Sequence, residues 1–267
     1  MMQILSFDVG GSKIAQALVD ENGNLLNEVI IKKTPQSAEE IENIFKKASA
    51  DNRFDGFALA TAGVVFENKI TGKPNNLPQG YECIDFANIF NVPHVIENDA
   101  NSALWAEFKI GNLRGVKHGI MLTLGTDVGC GIISNGAILH GKCGAAGEVS
   151  FDCSGRSLRK ITAELGVTET DCFKIHNMAI NNNDIARKAY NIWQENLLQA
   201  VRLLNSVFDT EIIVLSGSLA KIVDYAKINA SIKLLQPHNY PSIKPARCST
   251  HAGVIGAALL LAHKMKG

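Results

Sequence analysis

An α/β protein of two similar lobes with a cleft between them is what this 267-residue chain predicts. Each half opens with the same grammar of strand, glycine-containing turn, strand, turn, strand, first around Asp8-Val9-Gly10-Gly11-Ser12-Lys13 and again around Gly125-Thr126-Asp127-Val128-Gly129-Cys130-Gly131. A carboxylate flanked by amides, Asn98-Asp99-Ala100-Asn101, lies between an apolar run and a helical pattern, at the strand end where open α/β sheets place ligands.

Gln3 to Phe7 reads as the first strand, Ile14 to Val19 as the second and Leu25 to Lys32 as the third, a β-meander rather than a βαβ unit. The Gly10-Gly11 turn lets the backbone approach a bound group closely and offers N–H donors to an anion. A plain Gly-Gly hairpin does not call for Asp8 before the turn or Ser12-Lys13 after it, a set that suits Mg²⁺ and phosphate. Neither a Walker A loop nor G-x-G-x-x-G occurs. Ala38 to Ala50 carries Ile41, Ile44, Phe45 and Ala48 at the spacing of a one-faced helix, and Phe54 to Ala60 is a strand running into Thr61-Ala62-Gly63. Thr71 to Tyr81 is broken by Pro and Gly; its Asn75 and Asn76 fit sugar hydroxyls and turn chemistry equally well.

Val92 to Ile96 leads into Glu97-Asn98-Asp99, followed by a helical pattern from Ala103 to Phe108. Asp99 is aimed where a substrate would lie, although Asn and Asp are also favoured helix caps. Gly119 to Leu124, Ile132 to Ser134 and Ala137 to Leu139 repeat the meander, with Asn135-Gly136 as a hairpin turn. Gly144-Ala145-Ala146-Gly147 then places the carboxylate of Glu148 after a small-residue turn. Asn183 to Val207, with Ile185, Ala189, Ile192, Trp193, Leu197, Val201 and Leu204, is a core helix, and Ile212 to Leu215 is a strand ending in Ser216-Gly217-Ser218, with room for a flat ring or a phosphate. Ala252 to Lys264 is nearly all apolar and reads as a buried helix.

Lys plus Arg balances Asp plus Glu at 26 each, which excludes a broad electrostatic footprint for nucleic acid or an anionic membrane. Residues 1–8 contain no basic leader, and no run reaches the roughly 18 apolar residues of a membrane span, so a cytoplasmic protein with a small-molecule partner is expected. The six cysteines, at 83, 130, 143, 153, 172 and 248, form no C-x-x-C pair and read as reduced thiols.

Five segments in order, Asp8 to Lys13, Glu97 to Asn101, Leu124 to Gly131, Gly144 to Glu148 and Ala252 to Ala258, resemble the ROK family of bacterial sugar kinases and repressors. The resemblance spans nearly the whole chain. It implies the actin-like ATPase fold with two ribonuclease-H-like lobes, here 1–108 and 109–251, with the helix at about 252–267 returning to the first lobe. It also implies a homodimer that uses ATP and Mg²⁺ to phosphorylate a sugar. Carried over, Asp99 resembles the general base and Asn98 a sugar ligand, while Asp8 faces Mg²⁺ directly or through water. Gly10, Gly11, Ser12 and Lys13 match the first phosphate loop, Gly125 and Thr126 the second, and Gly217 the turn that accommodates adenosine. Glu148 matches the carboxylate near the anomeric end, and Gly63 with Asn75 or Asn76 falls where the family lines its sugar pocket.

Three departures stand out. The family's Glu-x-Gly-His is Glu148-Val149-Ser150-Phe151, and its zinc loop with a following Glu is reduced to Cys153-Ser154-Gly155-Arg156-Ser157-Leu158-Arg159, so no zinc site is expected. Asp127 replaces a usual Gly and brings a negative charge near the phosphates. Loss of the zinc loop resembles the branch of bacterial N-acetylmannosamine kinases that lack it, with Phe151 placed to pack against an N-acetyl methyl group. The expected reaction is therefore transfer of the γ-phosphate to the 6-hydroxyl of N-acetylmannosamine. A glucokinase- or fructokinase-type hexokinase and a degenerate, non-catalytic sugar-binding protein are the alternatives. A repressor of the family would need a helix-turn-helix ahead of the strand expected from residue 3.

Overall fold

β1 (Gln3–Val9) and β2 (Lys13–Asp20) bury nearly every side chain, so both faces of their sheet must be covered. The structure, a computed structural model, describes residues 1–51, 53–74, 76–248 and 250–266. The chain divides into two compact units, the first made of Met1–Arg114, His140–Ala146 and Cys248–Gly267, the second of Gly115–Leu139 and Gly147–Arg247.

In the first unit β3 (Ile30–Lys33), α1 (Ala38–Asp51), β4 (Gly56–Thr61), the short hairpin β5 (Val65–Phe66) and β6 (Lys69–Ile70), α2 (Phe86–Phe90), β7 (His94–Asn98) and α3 (Asp99–Ile110) follow in order. The sheet order is β3-β2-β1-β4-β7, with β1, β4 and β7 parallel and β2 and β3 antiparallel. The third strand is shorter than Leu25 to Lys32. Leu25 makes only an isolated bridge to Val19, and the Asn27 side chain takes the N–H of Leu18 at 2.8 Å, a donor that a continued strand would have used. α1 buries Ile41, Phe45 and Ala48 against an aromatic cluster in which Phe57 stacks on Phe90 at 3.7 Å and Phe7 meets Phe45 edge-on at 4.8 Å.

In the second unit β8 (Gly119–Leu124), β9 (Val128–Ser134), β10 (Ala137–Ile138), β11 (Ile212–Ser216) and β12 (Ser242–Pro245) form a sheet of order β10-β9-β8-β11-β12, the same plan as the first. Helices α4 (Gly155–Glu164), α5 (Cys172–Ile180), α6 (Asp184–Phe208) and α7 (Tyr225–Leu235) surround a core centred on Trp193, Leu197 and Val201. Ile185 and Ile192 fall off the buried stripe of α6 and are exposed, unlike Ala189 and Trp193 one to four residues away. Cys130 and Cys153 are buried, and burial pushes both thiols up to about 12.

α8 (Ala252–Lys266) belongs to the first unit and packs on β1, β4 and α3. A Cβ at Gly256 would overlap the Ser102 carbonyl, so α3 and α8 touch backbone to backbone. Among the described residues no helix is long and apolar enough to cross a membrane.

Candidate active site

Strand register gathers the acidic residues of the first unit. Asp8 pairs with Ala60, Val9 with Thr61, and Thr61 with Asn98, so the ends of β1, β4 and β7 are level. At about 4.8 Å per strand, the Asp8 and Asn98-Asp99 strand ends stand about 10 Å apart. Asp8 is half-buried and, among the described residues, accepts no hydrogen bond and joins no ion pair; burial, opposed by the nearby Lys13, pushes its carboxyl up to about 6. A Cβ at Gly253, in the first turn of α8, would come within 2.5 Å of Asp8 Oδ2, so only glycine lets that helix seat against the carboxylate. A hard cation that takes one carboxylate and otherwise phosphate and water oxygens fits this donor set. Among the described residues no three His, Cys, Asp or Glu gather in a way that could hold a metal by themselves.

Asn98 takes the capping role. Its Oδ1 accepts the N–H groups of Ala100 at 2.9 Å and Asn101 at 3.2 Å, and its Nδ2 donates to the Gly63 carbonyl at 3.0 Å. The expected sugar ligand is thus committed mainly to structure, which leaves Asp99, the first residue of α3 and half-buried, as the carboxylate at the tip. Glu97 is 5% exposed and accepts from the Asn98 N–H at 2.9 Å, Asn101 Nδ2 at 3.1 Å and, on its other oxygen, His140 Nε2 at 2.7 Å. The hydrogen bond to Glu97, against burial, raises the His140 pKa. Tyr81 is fully buried with its hydroxyl 2.9 Å from Thr61 Oγ1, and burial together with the charges of Asp8 and Asp99 holds its phenol protonated. Tyr81, Thr61 and His140 had no motif to announce them.

The Gly10 to Lys13 turn closes through the Gly10 N–H on the Lys13 carbonyl at 3.0 Å. Thr34, buried just beyond β3, braces it by donating Oγ1 to the Gly10 carbonyl at 2.6 Å and its N–H to the Ser12 carbonyl at 3.2 Å. Ser12 and Lys13 are exposed. A Cβ at Gly11 would come within 2.6 Å of Asn76, so the loop carrying Asn76 lies on the turn. Asn75 lies outside the described residues. Gly63 has φ +98°, and a Cβ there would meet Pro74 at 2.9 Å.

In the second unit Gly125 and Thr126 follow β8, and α4 grips their carbonyls with the N–H groups of Gly155 at 2.8 Å and Arg156 at 3.1 Å. Gly217, with φ +83°, runs so close to Leu124 that a Cβ would lie 2.5 Å from its carbonyl oxygen. Gly125, Thr126, Ser218 and Leu219 line a pocket of about 390 Å³ together with residues of α4 and α5. The charge of Asp127 is answered by Arg156 Nη2 at 3.1 Å, which offsets the repulsion expected of it. Phe151 packs half-buried against the core of this unit, and that packing by itself is a reason for an aromatic residue there. The zinc-loop remnant has become a helix start: Cys153 is buried and Ser154 caps α4 through the Ser157 N–H at 3.1 Å. Glu148 is exposed, just after Gly147.

The ROK family model matches residues 4–264. The chain belongs to the ROK family. It is 30% identical to an N-acetylmannosamine kinase of Yersinia pseudotuberculosis, over 96% of this chain and 97% of the relative. A ROK family protein from Streptococcus pneumoniae, solved in complex with sucrose, superposes with a TM-score of 0.85 at 20% identity, covering 99% of both chains. A ROK glucokinase from Streptomyces griseus, solved with glucose and AMPPNP, gives a TM-score of 0.75 at 23% identity over 97% of this chain and 98% of that one. The fold is accordingly the actin-like ATPase fold, each of its two units a ribonuclease-H-like sheet with helices.

Proposed function

We propose that this ROK sugar kinase, an ATP-dependent phosphotransferase, transfers the γ-phosphate to the 6-hydroxyl of N-acetylmannosamine. The observation that carries the substrate is the 30% identity, nearly end to end, with an N-acetylmannosamine kinase.

Phosphoryl transfer asks a protein for positioning and charge stabilisation more than for covalent chemistry. Asp99 accepts the proton of the sugar hydroxyl as its oxygen attacks, at the head of α3, which Asn98 caps. The Gly10 to Lys13 and Gly125-Thr126 turns bind the phosphates through the N–H groups of Gly11, Ser12 and Thr126, since those of Gly10 and Gly125 are held by the Lys13 and Asp127 carbonyls at 3.0 and 3.1 Å, with the ammonium of Lys13 adding charge. Gly217 leaves room for adenosine, and Glu148, Gly63 and Asn76 hold sugar hydroxyls. Asp8 would hold Mg²⁺, directly or through water, and the ion when bound neutralises charge on the phosphates. Six free thiols fit the cytoplasm, where we place the reaction. We expect a homodimer, for which exposed Leu203, Val207 and Leu234 offer apolar surface on the second unit.

A hexokinase of glucokinase type is the second reading, consistent with core packing that accounts for Phe151 without an N-acetyl contact. Coupled-assay kcat/KM values for N-acetylmannosamine, N-acetylglucosamine, glucose, fructose and mannose decide between them. N-acetylmannosamine leading by at least about tenfold supports the first reading, and glucose or fructose leading replaces it.

A further inference from the structure

We infer that Arg159 is a phosphate-binding residue of the nucleotide pocket in the second unit, an inference that rests on the ATP-dependent reading above. Arg159 lies one turn along α4 from Gly155, so the two share a helix face. Gly155 is the residue whose N–H holds the Gly125 carbonyl, and a Cβ on it would lie 3.5 Å from Arg159 Nη1. That places the guanidinium beside the Gly125-Thr126 turn, in the pocket of about 390 Å³ that the turn, Cys172 and Leu219 also line.

Among the described residues no carboxylate pairs with Arg159. Its one hydrogen-bond acceptor among the described residues is Cys172 Sγ at 3.8 Å, and burial keeps that thiol protonated. Asp171, which lines the same pocket, caps α5 through the N–H groups of Phe173 at 2.8 Å and Lys174 at 3.2 Å and makes no ion pair with Arg159. A half-buried guanidinium carries five donors in a fixed fork and costs free energy when left facing a thiol. Phosphate oxygens match that fork in bidentate geometry, whereas an uncharged nucleoside gains nothing from it.

The test is calorimetric titration of ATP and of adenosine into wild type, Arg159→Gln and Arg159→Lys. ATP affinity is expected to fall about 10- to 100-fold in Arg159→Gln, the loss of one or two charge-assisted bonds, and less in Arg159→Lys, while adenosine affinity stays within about twofold. A variant-free readout accompanies it: modification of Arg159 by phenylglyoxal, followed by peptide mapping, slows with ATP and not with adenosine. Wild type binding ATP while Arg159→Gln binds it equally well overturns the assignment, as does equal loss of ATP and adenosine. Wild type that binds no ATP overturns the ATP-dependent reading itself, and this role with it.

Discussion

Asn98→Ala separates a structural amide from a sugar ligand. The substitution removes three hydrogen bonds, two to the first turn of α3, at 2.9 and 3.2 Å, and one to Gly63, at 3.0 Å. Loss of an N-cap costs about 1 kcal/mol, and the Gly63 bond contributes about 1 kcal/mol more. A total of about 2 kcal/mol lowers the melting temperature of a chain this size by about 4–8 °C. Asn98→Asp keeps the capping oxygen, loses the Gly63 bond and sets a second charge beside Asp99, so it melts between the two. Circular-dichroism melts of the three proteins, with kcat and KM for the sugar, are the assay. The expected result is a graded loss of Tm together with a fall in kcat as the Asp99 strand end loosens. A melt of Asn98→Ala within about 1 °C of wild type, with KM alone raised, would refute the capping account and return Asn98 to the sugar.

Other substitutions probe the same strand ends. The folded pKa of Asp8, about 6, lies above its unfolded value, so its burial penalty is absent when it is protonated and grows as pH rises through that range. Asp8→Asn is therefore expected to stabilise the ligand-free protein at neutral pH, by on the order of 2–3 kcal/mol in urea unfolding, while sugar phosphorylation falls at least about 100-fold. The His140 pKa is raised in the fold, so its bond to Glu97 adds stability below the free histidine value that is lost as pH rises through the folded value. Comparing wild type with His140→Gln across pH should show a gap of under about 1 kcal/mol on the acid side that closes on the alkaline side. Gly253→Ala drives a Cβ to 2.5 Å from Asp8 Oδ2, and a loss of about 1–3 kcal/mol with a matching drop in kcat is expected in unfolding and turnover assays.

The repeated meander was legible because strand-turn-strand grammar is local, and both sheets came out on one plan. Asp8 and Asp99 could be singled out from the elements that flank them, since a carboxylate at a strand end is visible in sequence. Their supports could not be. Tyr81 reaches Thr61 across 20 residues, Thr34 braces the Gly10 turn from 24 residues away, and His140 meets Glu97 across 43, none with a spacing that periodicity detects. Leu25 to Val29 reads as strand by composition, yet the Asn27 side chain takes the place of a ladder partner there. Asp127 looked like a liability in isolation because its partner, Arg156, enters the β8–β9 turn from the start of α4.

Asp99→Asn tests whether Asp99 takes the proton from the sugar hydroxyl, since the amide keeps the shape and loses the base. Single-turnover phosphorylation of N-acetylmannosamine, with ATP and sugar affinities measured on the same protein, is the measurement. The expected result is a rate lowered about 10²- to 10⁴-fold with both affinities within a few-fold of wild type. A rate within about tenfold of wild type would contradict it and leave the transfer without the base assigned here.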